Sequence, residues 1–450
     1  MKCYLLGTVA LVLVAGVANA ADMPTKMPVK TAPPVSYDWS GFYLGGYYGT
    51  SIEQTKAHAD AAAAGVANVN DMALTVGGTF GYNWQFAPRW LVGLEGDVGL
   101  LGVDRTFHQW SSTGLTGSKS DWYATARARF GYVTGPSLLY VTGGAAFVNT
   151  TDVFGGAGPI SPAVNTATKT GWTVGGGIET KLSRNWSTTT EYLFIDAGST
   201  NFASNPFGIV PAVGTTFDHS YHVIKTGLNY KLDGNWEGLP FFNQAQLPSN
   251  HNWGGFYAGV NIGGGMSLVH ASDVLRGEED INGTGFSGGG QVGYNYVLGR
   301  NFLGTWFVGV EGDVGSLRVN GSATAFGAQF DVFQVQTDWY ATARARVGTT
   351  TGPALLYFTA GGAWVGLKDG FQAMPTSAGI DLTSRTASGW TVGGGAEVAI
   401  NERWSAKLES LYIDVGHREH NDFIPSPFFF ADYKDRFMVV RAGLNLKLGD

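Results

Sequence analysis

Residues 121–129 read DWYATARAR, and polarity along them changes with a period of two. Tyr123, Thr125, Arg127 and Arg129 fall on one side; Trp122, Ala124, Ala126, Ala128 and Phe130 fall on the other. Successive side chains of a β-strand point to opposite faces, whereas an amphipathic helix needs apolar residues three and four apart. The stretch therefore reads as a strand with one apolar and one charged face. Similar alternation recurs at about residues 39–49, 74–86, 89–101, 120–134, 137–149, 171–182, 186–197 and 219–231. It returns at about 253–264, 285–297, 304–317, 337–350, 354–366, 389–400, 404–415 and 435–448. Each segment is long enough to cross a bilayer as a tilted strand, which takes about 9–11 residues.

The chain is two copies of one unit. DWYATARAR returns unchanged at 338–346, and other stretches match at a nearly constant offset: WSGFYLGG at 39 with WGGFYAGV at 253, EGDVG at 95 and 311, TGPSLLY at 134 with TGPALLY at 351, GWTVGGG at 171 and 389, GLN at 227 and 443. Each copy has about 200 residues, an ordinary domain size. The expected repeats are 39–232 and 253–450, joined by a linker at 233–252 in which Pro240 and Pro248 break the alternation. Connections within a copy alternate in length. Ala87-Pro88, Gly135-Pro136 and Ser183-Arg184-Asn185 are tight turns, whereas 50–73, 102–119, 150–170 and 198–218 read as long polar loops. Short turns on one side and long loops on the other is the outer-membrane barrel arrangement, with the short side periplasmic.

Composition narrows the class. Charged residues are 14% of the chain, against about a quarter in an average soluble protein, so something other than water covers part of this surface. Residues 1–20 carry Lys2, the apolar run Leu5 to Val17 and Ala18-Asn19-Ala20, the form of a secretory signal peptide. Residues 21–38, with Pro24, Pro28, Pro33 and Pro34, read as an extended periplasmic leader. After the signal no run of apolar residues is long enough for a spanning helix. The single cysteine, Cys3, falls in the signal segment, so no disulfide, zinc–thiolate site or cysteine nucleophile is expected. A formal net charge of -7 argues against nucleic acid as a partner. An exported chain that is poor in charge and crosses with strands is expected in the cell outer membrane as a β-barrel.

The leader residues APPV at 32–35, the opening YDWSGFYLGG at 37–46, EGD at 95–97 and the closing GLNYKL at 227–232 together resemble the alpha-proteobacterial family of small porin-like outer-membrane β-barrel proteins, relatives of the OmpA transmembrane barrel. The resemblance covers nearly all of residues 21–450, twice over. It implies an all-β, antiparallel transmembrane barrel delivered to the membrane by the barrel assembly machinery. The closing LNLKLGD departs from the pattern, since such barrels often end on an aromatic residue.

Arginine on a lipid-facing position near the bilayer midplane costs about 2–4 kcal/mol, so Arg127 and Arg129 should point into the lumen. The same parity places Glu95, Asp97, Glu179, Glu191 and Lys225 inside, and in the second copy Glu311, Asp313, Arg344, Arg346, Glu397, Glu409 and Arg441. Trp90, Val92, Leu94, Val98, Trp172, Val174, Ile178, Tyr192, Ile224 and Leu228 are expected to meet lipid. Four acids against three bases nearly balance in each copy. Eight strands enclose a lumen that side chains can fill, whereas sixteen enclose an aqueous channel. A separate charge set in each copy, with glycines at the inward positions Gly77, Gly81, Gly175 and Gly177, favours two tandem eight-stranded barrels over one sixteen-stranded barrel. Trp39, Tyr43, Trp84, Trp90, Trp122, Trp172, Trp186, Tyr230 and their second-copy partners are expected in the interfacial girdles.

Candidate chemistry is sparse. Glu95 and Asp97 could serve acid/base work, but beside arginines in a closed lumen they read as ion-pair partners. His417 and His420 in the run HREH, with Asp422 nearby, could take a metal or haem iron, but in a polar loop they read as solvated side chains. GWTVGGG lacks the lysine and the helix of a phosphate loop. No catalytic residue, metal or cofactor is expected. The expected function is non-enzymatic: a structural, surface-exposed role with outer-membrane lipid and the assembly machinery as partners. The alternatives are a passive porin-type channel for small solutes and capture of an extracellular ligand, such as haem or a host surface, by the long loops.

Overall fold

The computed structural model describes residues 37–59, 66–109, 114–155, 163–203, 214–233, 251–273, 277–301, 304–324, 332–350, 352–372, 382–420 and 431–449. The expected signal segment, the leader as far as Ser36, most of the linker and Asp422 lie outside the described residues. The described residues form sixteen strands. In the first copy they are β1 (Gly41–Ala59), β2 (Val66–Ala87), β3 (Trp90–Gln109), β4 (Gly114–Thr134), β5 (Ser137–Gly155), β6 (Ala163–Lys181), β7 (Trp186–Ala203) and β8 (Gly214–Lys231). The second copy continues with β9 (Gly255–Asp273), β10 (Gly277–Asn301), β11 (Gly304–Thr324), β12 (Val332–Thr350), β13 (Ala354–Gln372), β14 (Thr383–Ala399), β15 (Trp404–His420) and β16 (Ala431–Leu448).

All neighbours pair antiparallel, and the chain closes twice. β8 returns to β1, with Lys231 opposite Tyr43 and Thr215 opposite Ala59. β16 returns to β9, with Leu448 opposite Phe256 and Ala431 opposite Asp273. The architecture is therefore two eight-stranded barrels, and the alternative of a single sixteen-stranded barrel is excluded by these two closures. Hydrocarbon offers no partner to an open strand edge, so each repeat satisfies its backbone only by closing on itself. Among the described residues, the ladders of the two barrels meet only at single pairs near the extracellular strand ends, Val66 with Thr324 and Gln109 with Gly277.

The strands are longer than the alternation predicted, and much of each expected long loop is strand. The reason lies in the bulges. β3 is irregular between Leu100 and Val103, β4 between Ser120 and Tyr123, β7 between Asp196 and Gly198, and β15 between Asp414 and His417. A bulge sets two residues against one, so a period-two pattern loses its phase while the ladder continues. The β7 and β15 bulges are copies of each other. Gly198 and Gly416 have φ of 74° and 84°, and their N–H groups donate to Asp196 and Asp414 at 2.9 and 2.8 Å.

Most outward positions are apolar and exposed, among them Leu94, Val98, Trp172, Val174, Val260 and Val310. Two groups depart from expectation. Trp39 and Tyr43 are not in a girdle: both are buried inside the first barrel, as are Trp253 and Tyr257 inside the second. Ile178, Tyr192 and Ile224 face outward but meet the second barrel instead of lipid. Tyr192 and Ile224 pack against Ile52, Met266, Leu268, Met438 and Val440, and Ile178 packs with Ala354, Val398 and Ala406. Nearer the extracellular ends this seam turns polar, where the Asn70 N–H donates to Asp280 at 2.8 Å and Arg105 lies 3.6 Å from the same carboxylate. At the periplasmic rim, Lys231 pairs with Asp38 at 2.8 Å and ties the chain entering β1 to the end of β8. Partial burial works against ionisation of Asp38, but Lys231 and the Ser40 amide outweigh it and hold the carboxyl below its usual range.

Cleaving the full chain within 234–250 is expected to leave two fragments that each shift on heating in a gel, because each barrel closes its own ladder. Fragments that run as unfolded species without heating would contradict two self-contained barrels.

Candidate functional site

In each lumen some of the charged residues sit on directly opposed strand positions. Glu95 faces Arg127 across β3 and β4, and Glu191 faces Lys225 across β7 and β8. The second copy repeats this with Glu311 opposite Arg344 and Glu409 opposite Arg441. Cross-strand neighbours on one face are about 4.5–5.5 Å apart at Cβ, which is within salt-bridge reach for these side chains.

In the first barrel Arg127 is the hub. Its Nη2 lies 2.5 Å from both Glu95 and Asp97, its Nη1 2.8 Å from Glu191, and its Nε donates to Thr125 at 3.1 Å. Arg129 joins Glu95 (3.0 Å) to Glu179 (2.8 Å), donates to the Tyr43 hydroxyl, and stacks 4.0 Å from the Tyr140 ring centre. Lys225 closes the circuit with Asp97 at 2.7 Å and Glu191 at 3.2 Å. Glu95, Asp97 and Glu191 approach one another as a metal-binding triad could, but Arg127 lies in contact with all three and supplies the cation.

The second lumen repeats this plan with one addition. Arg344 binds Glu311, Asp313 (2.8 Å) and Glu409 (2.9 Å), Arg346 binds Glu311 (3.2 Å) and Glu397 (3.1 Å), and Arg441 spans Glu409 (2.5 Å) and Asp313 (3.0 Å). Lys407 enters the same network, 3.0 Å from Glu311 and 3.6 Å from Glu409. Sequence reasoning passed over Lys407 because the first copy has Thr189 at that place, although it shares the inward parity of Glu409. The inward glycines make room for the rings. A Cβ on Gly81 would run into Tyr43, and one on Gly77 into Tyr47.

Apolar layers close the networks at both ends. Below the first lie Trp39, Leu91, Val133 and Leu138, and above it Leu101, Tyr123, Leu193, Ile195 and Val223. The second has Trp253, Phe307 and Leu355 below and Leu317, Tyr340, Val365, Leu411 and Val439 above.

Above the upper layer sits a second polar cluster that sequence reasoning missed, because Glu53, Thr55 and Asp152 fall in segments read as loops, while His219 and Asp435 stand at the very first positions of expected strands. In the first barrel the His219 Nδ1 lies 2.9 Å from the Thr55 hydroxyl and 3.7 Å from Glu53, and its Nε2 is 3.1 Å from Asp152. The second barrel sets Arg385 between Asp369 (3.4 Å) and Asp435. Hydroxyl, imidazole and carboxylate stand in the order of a nucleophile relay, but Thr55 donates its proton to Glu53 at 2.8 Å and the group is fully buried. His417 is exposed near the end of β15, and nothing in the described residues brings an acidic or histidine ligand set to it.

Paired strands of membrane-crossing length, an apolar outer surface and a charged, filled interior define an outer-membrane β-barrel, here present twice. The chain belongs to the outer membrane protein beta-barrel domain family, whose profile matches residues 7–231 and again 239–447. It is 34% identical over 208 residues to the 31 kDa outer-membrane immunogenic protein of Brucella melitensis biotype 1, covering 44% of this chain and 84% of that protein. It is also 32% identical over 184 residues to the 22 kDa outer membrane protein of Rhizobium leguminosarum bv. viciae, covering 39% of this chain and 70% of that protein. Among solved structures, Neisserial surface protein A matches at 14% identity over 43% of this chain and 98% of its own, with a TM-score of 0.25.

Two predictions concern the networks. Replacing Arg127 by Met leaves Glu95, Asp97 and Glu191 to Arg129 and Lys225 as their buried cationic partners and should lower folding stability by about 3–5 kcal/mol, whereas Lys407→Thr, which recreates the first copy's arrangement, should cost about 1–3 kcal/mol. Urea titration followed by gel shift measures both, and equal losses would count against Arg127 as the hub. Gly81→Leu overpacks the Tyr43 ring and should cost about 1–3 kcal/mol, read from the same assay.

Proposed function

We propose that the protein is a structural, surface-exposed component of the outer membrane, neither an enzyme nor an open channel. The observation that supports this reading is the filling of each lumen by stacked layers: an apolar base, a charge network on Arg127 or Arg344, and an apolar cap. Eight-stranded barrels have lumens just wide enough for side chains, and these side chains are buried. The Brucella relative carries the word immunogenic in its name, which accords with extracellular strand ends open to the surroundings. The channel reading requires a water path through layers such as Leu101 with Leu193, and loop-mediated ligand capture would rest on residues such as 421–430, outside those described.

Reconstituted in planar bilayers, the full chain should show no stepwise conductance of large-pore size. Regular steps of that kind would overturn the proposal in favour of a solute channel.

A further inference from the structure

A cleft of about 1190 Å³ runs along the seam between the outer walls of the two barrels. It is larger than the roughly 300–1,000 Å³ of pockets that bury a drug-sized ligand. It exists because lining positions are small: Gly176 on β6, Gly264 on β9 and Ala442 on β16 leave the walls apart. Between the contacts of Ile52 with Met266 and of Ile178 with Ala354, the walls are otherwise Val260, Ile262, Leu408, Val440 and Leu444. The cleft reaches Trp90 and Phe130, whose rings are exposed on the lipid-facing surface, so it is continuous with the bilayer.

A buried imidazole interrupts this largely apolar lining. His222 on β8 faces outward, lines the cleft and is 5% exposed. Its Nδ1 is 2.8 Å from the Tyr192 hydroxyl, while its Nε2 has no hydrogen-bond partner among the described residues. In the tautomer in which the Tyr192 hydroxyl donates to Nδ1, the ring proton sits on Nε2, a donor without an acceptor among the described residues. Buried polar groups are normally satisfied, and within hydrocarbon no water does so.

Position fixes what such a donor could meet. Outward residues of β8 run Tyr230, Leu228, Thr226, Ile224 and His222 from the periplasmic end and turn polar at Ser220 and Asp218. His222 therefore sits at the extracellular edge of the hydrocarbon band. From it the cleft descends from the level of Met266 to that of Val260, six residues of β9. At about 3.4 Å per residue this is roughly 20 Å of strand. A tilt of about 35–45° converts it to some 14–17 Å of depth, close to half of a hydrocarbon core of about 30 Å.

We infer that the seam is a binding site for one acyl chain of an outer-leaflet lipid, with the chain lying in the cleft and its ester or amide carbonyl accepting a hydrogen bond from His222 Nε2. The small residues open the slot, the apolar walls take the chain, and Tyr192 fixes the imidazole that reads the head of the chain. The bound chain then completes the seam that the two barrels leave unfilled.

The test uses the full chain in detergent micelles and native mass spectrometry with two probes: tetradecanoyl lysophosphatidylcholine and its ether-linked counterpart, which lacks the carbonyl. A one-to-one complex with the ester lipid is expected, about tenfold tighter than with the ether. His222→Phe should bring the ester down to the level of the ether, and Ala442→Trp, which fills the slot, should abolish both complexes. Heat-induced gel shifts verify that each variant remains folded, and Gly264→Phe repeats the blocking test from the opposite wall. Equal retention of the two lipids by the unaltered chain, retention unaffected by both blocking variants, or no complex at all would overturn the inference.

Discussion

Everything in this protein follows from the cost of an unpaired polar group in hydrocarbon. That cost closes each repeat into a ring of strands, since an open edge would leave a row of backbone groups without partners. It also sends every spanning charge inward, and once inside a narrow lumen a charge must find opposite charge within contact distance. Arg127 shows the consequence: one planar guanidinium touches three carboxylates from two strands at 2.5–2.8 Å, and those carboxylates in turn hold Arg129 and Lys225. Arginine suits the position because its fork of donors engages several carboxylates at once, which a lysine's single ammonium cannot match in geometry.

The two copies solve the same problem with different parts. The first lumen holds four acids against Arg127, Arg129 and Lys225, and the second adds Lys407 to Arg344, Arg346 and Arg441. Above the cap the first barrel sets His219 between Glu53 and Asp152, while the second sets Arg385 between Asp369 and Asp435. In both places the rule is kept, a basic side chain between acids, and above the cap the strand that supplies it changes from β8 to β14. Duplication thus preserved the constraint more strictly than the residues.

The strand count and the two repeats were legible because parity below the bulges is strict, and the same parity sets Arg127 on the face away from lipid, where the structure has it buried among carboxylates. What was not legible falls where that pressure ends. Past Leu100, Asp196 and Asp414 bulges shift the phase, and outward residues such as Ser220 are polar because they stand beyond the hydrocarbon, so strand looks like loop. Trp39 and Tyr43 were misplaced for a related reason. An aromatic near a strand end fits a girdle by composition, but Tyr43 has the parity of Tyr47 and reaches its hydroxyl to Glu95 at 2.5 Å over the bare backbone of Gly81.

The seam between the barrels was invisible to parity in a deeper sense. Alternation tells inside from outside, and it cannot tell lipid from another barrel's outer wall, because both ask for apolar residues. Ile178 and Val174 lie on one strand with the same outward parity, yet Ile178 is packed against Ala354 and Val398 while Val174 stays exposed. In hydrocarbon two apolar walls gain little by meeting, so their association must rest on close fit and on polar contacts. The described contacts divide in that way: Asn70 and Arg105 reach Asp280 near the extracellular ends, and large side chains interlock around Met266. Where glycine and alanine line the seam instead, the fit fails and the walls stand apart. A pair of barrels held at a polar end and left open along an apolar length is a different surface from either barrel alone, produced by duplication without altering the parity of a single strand.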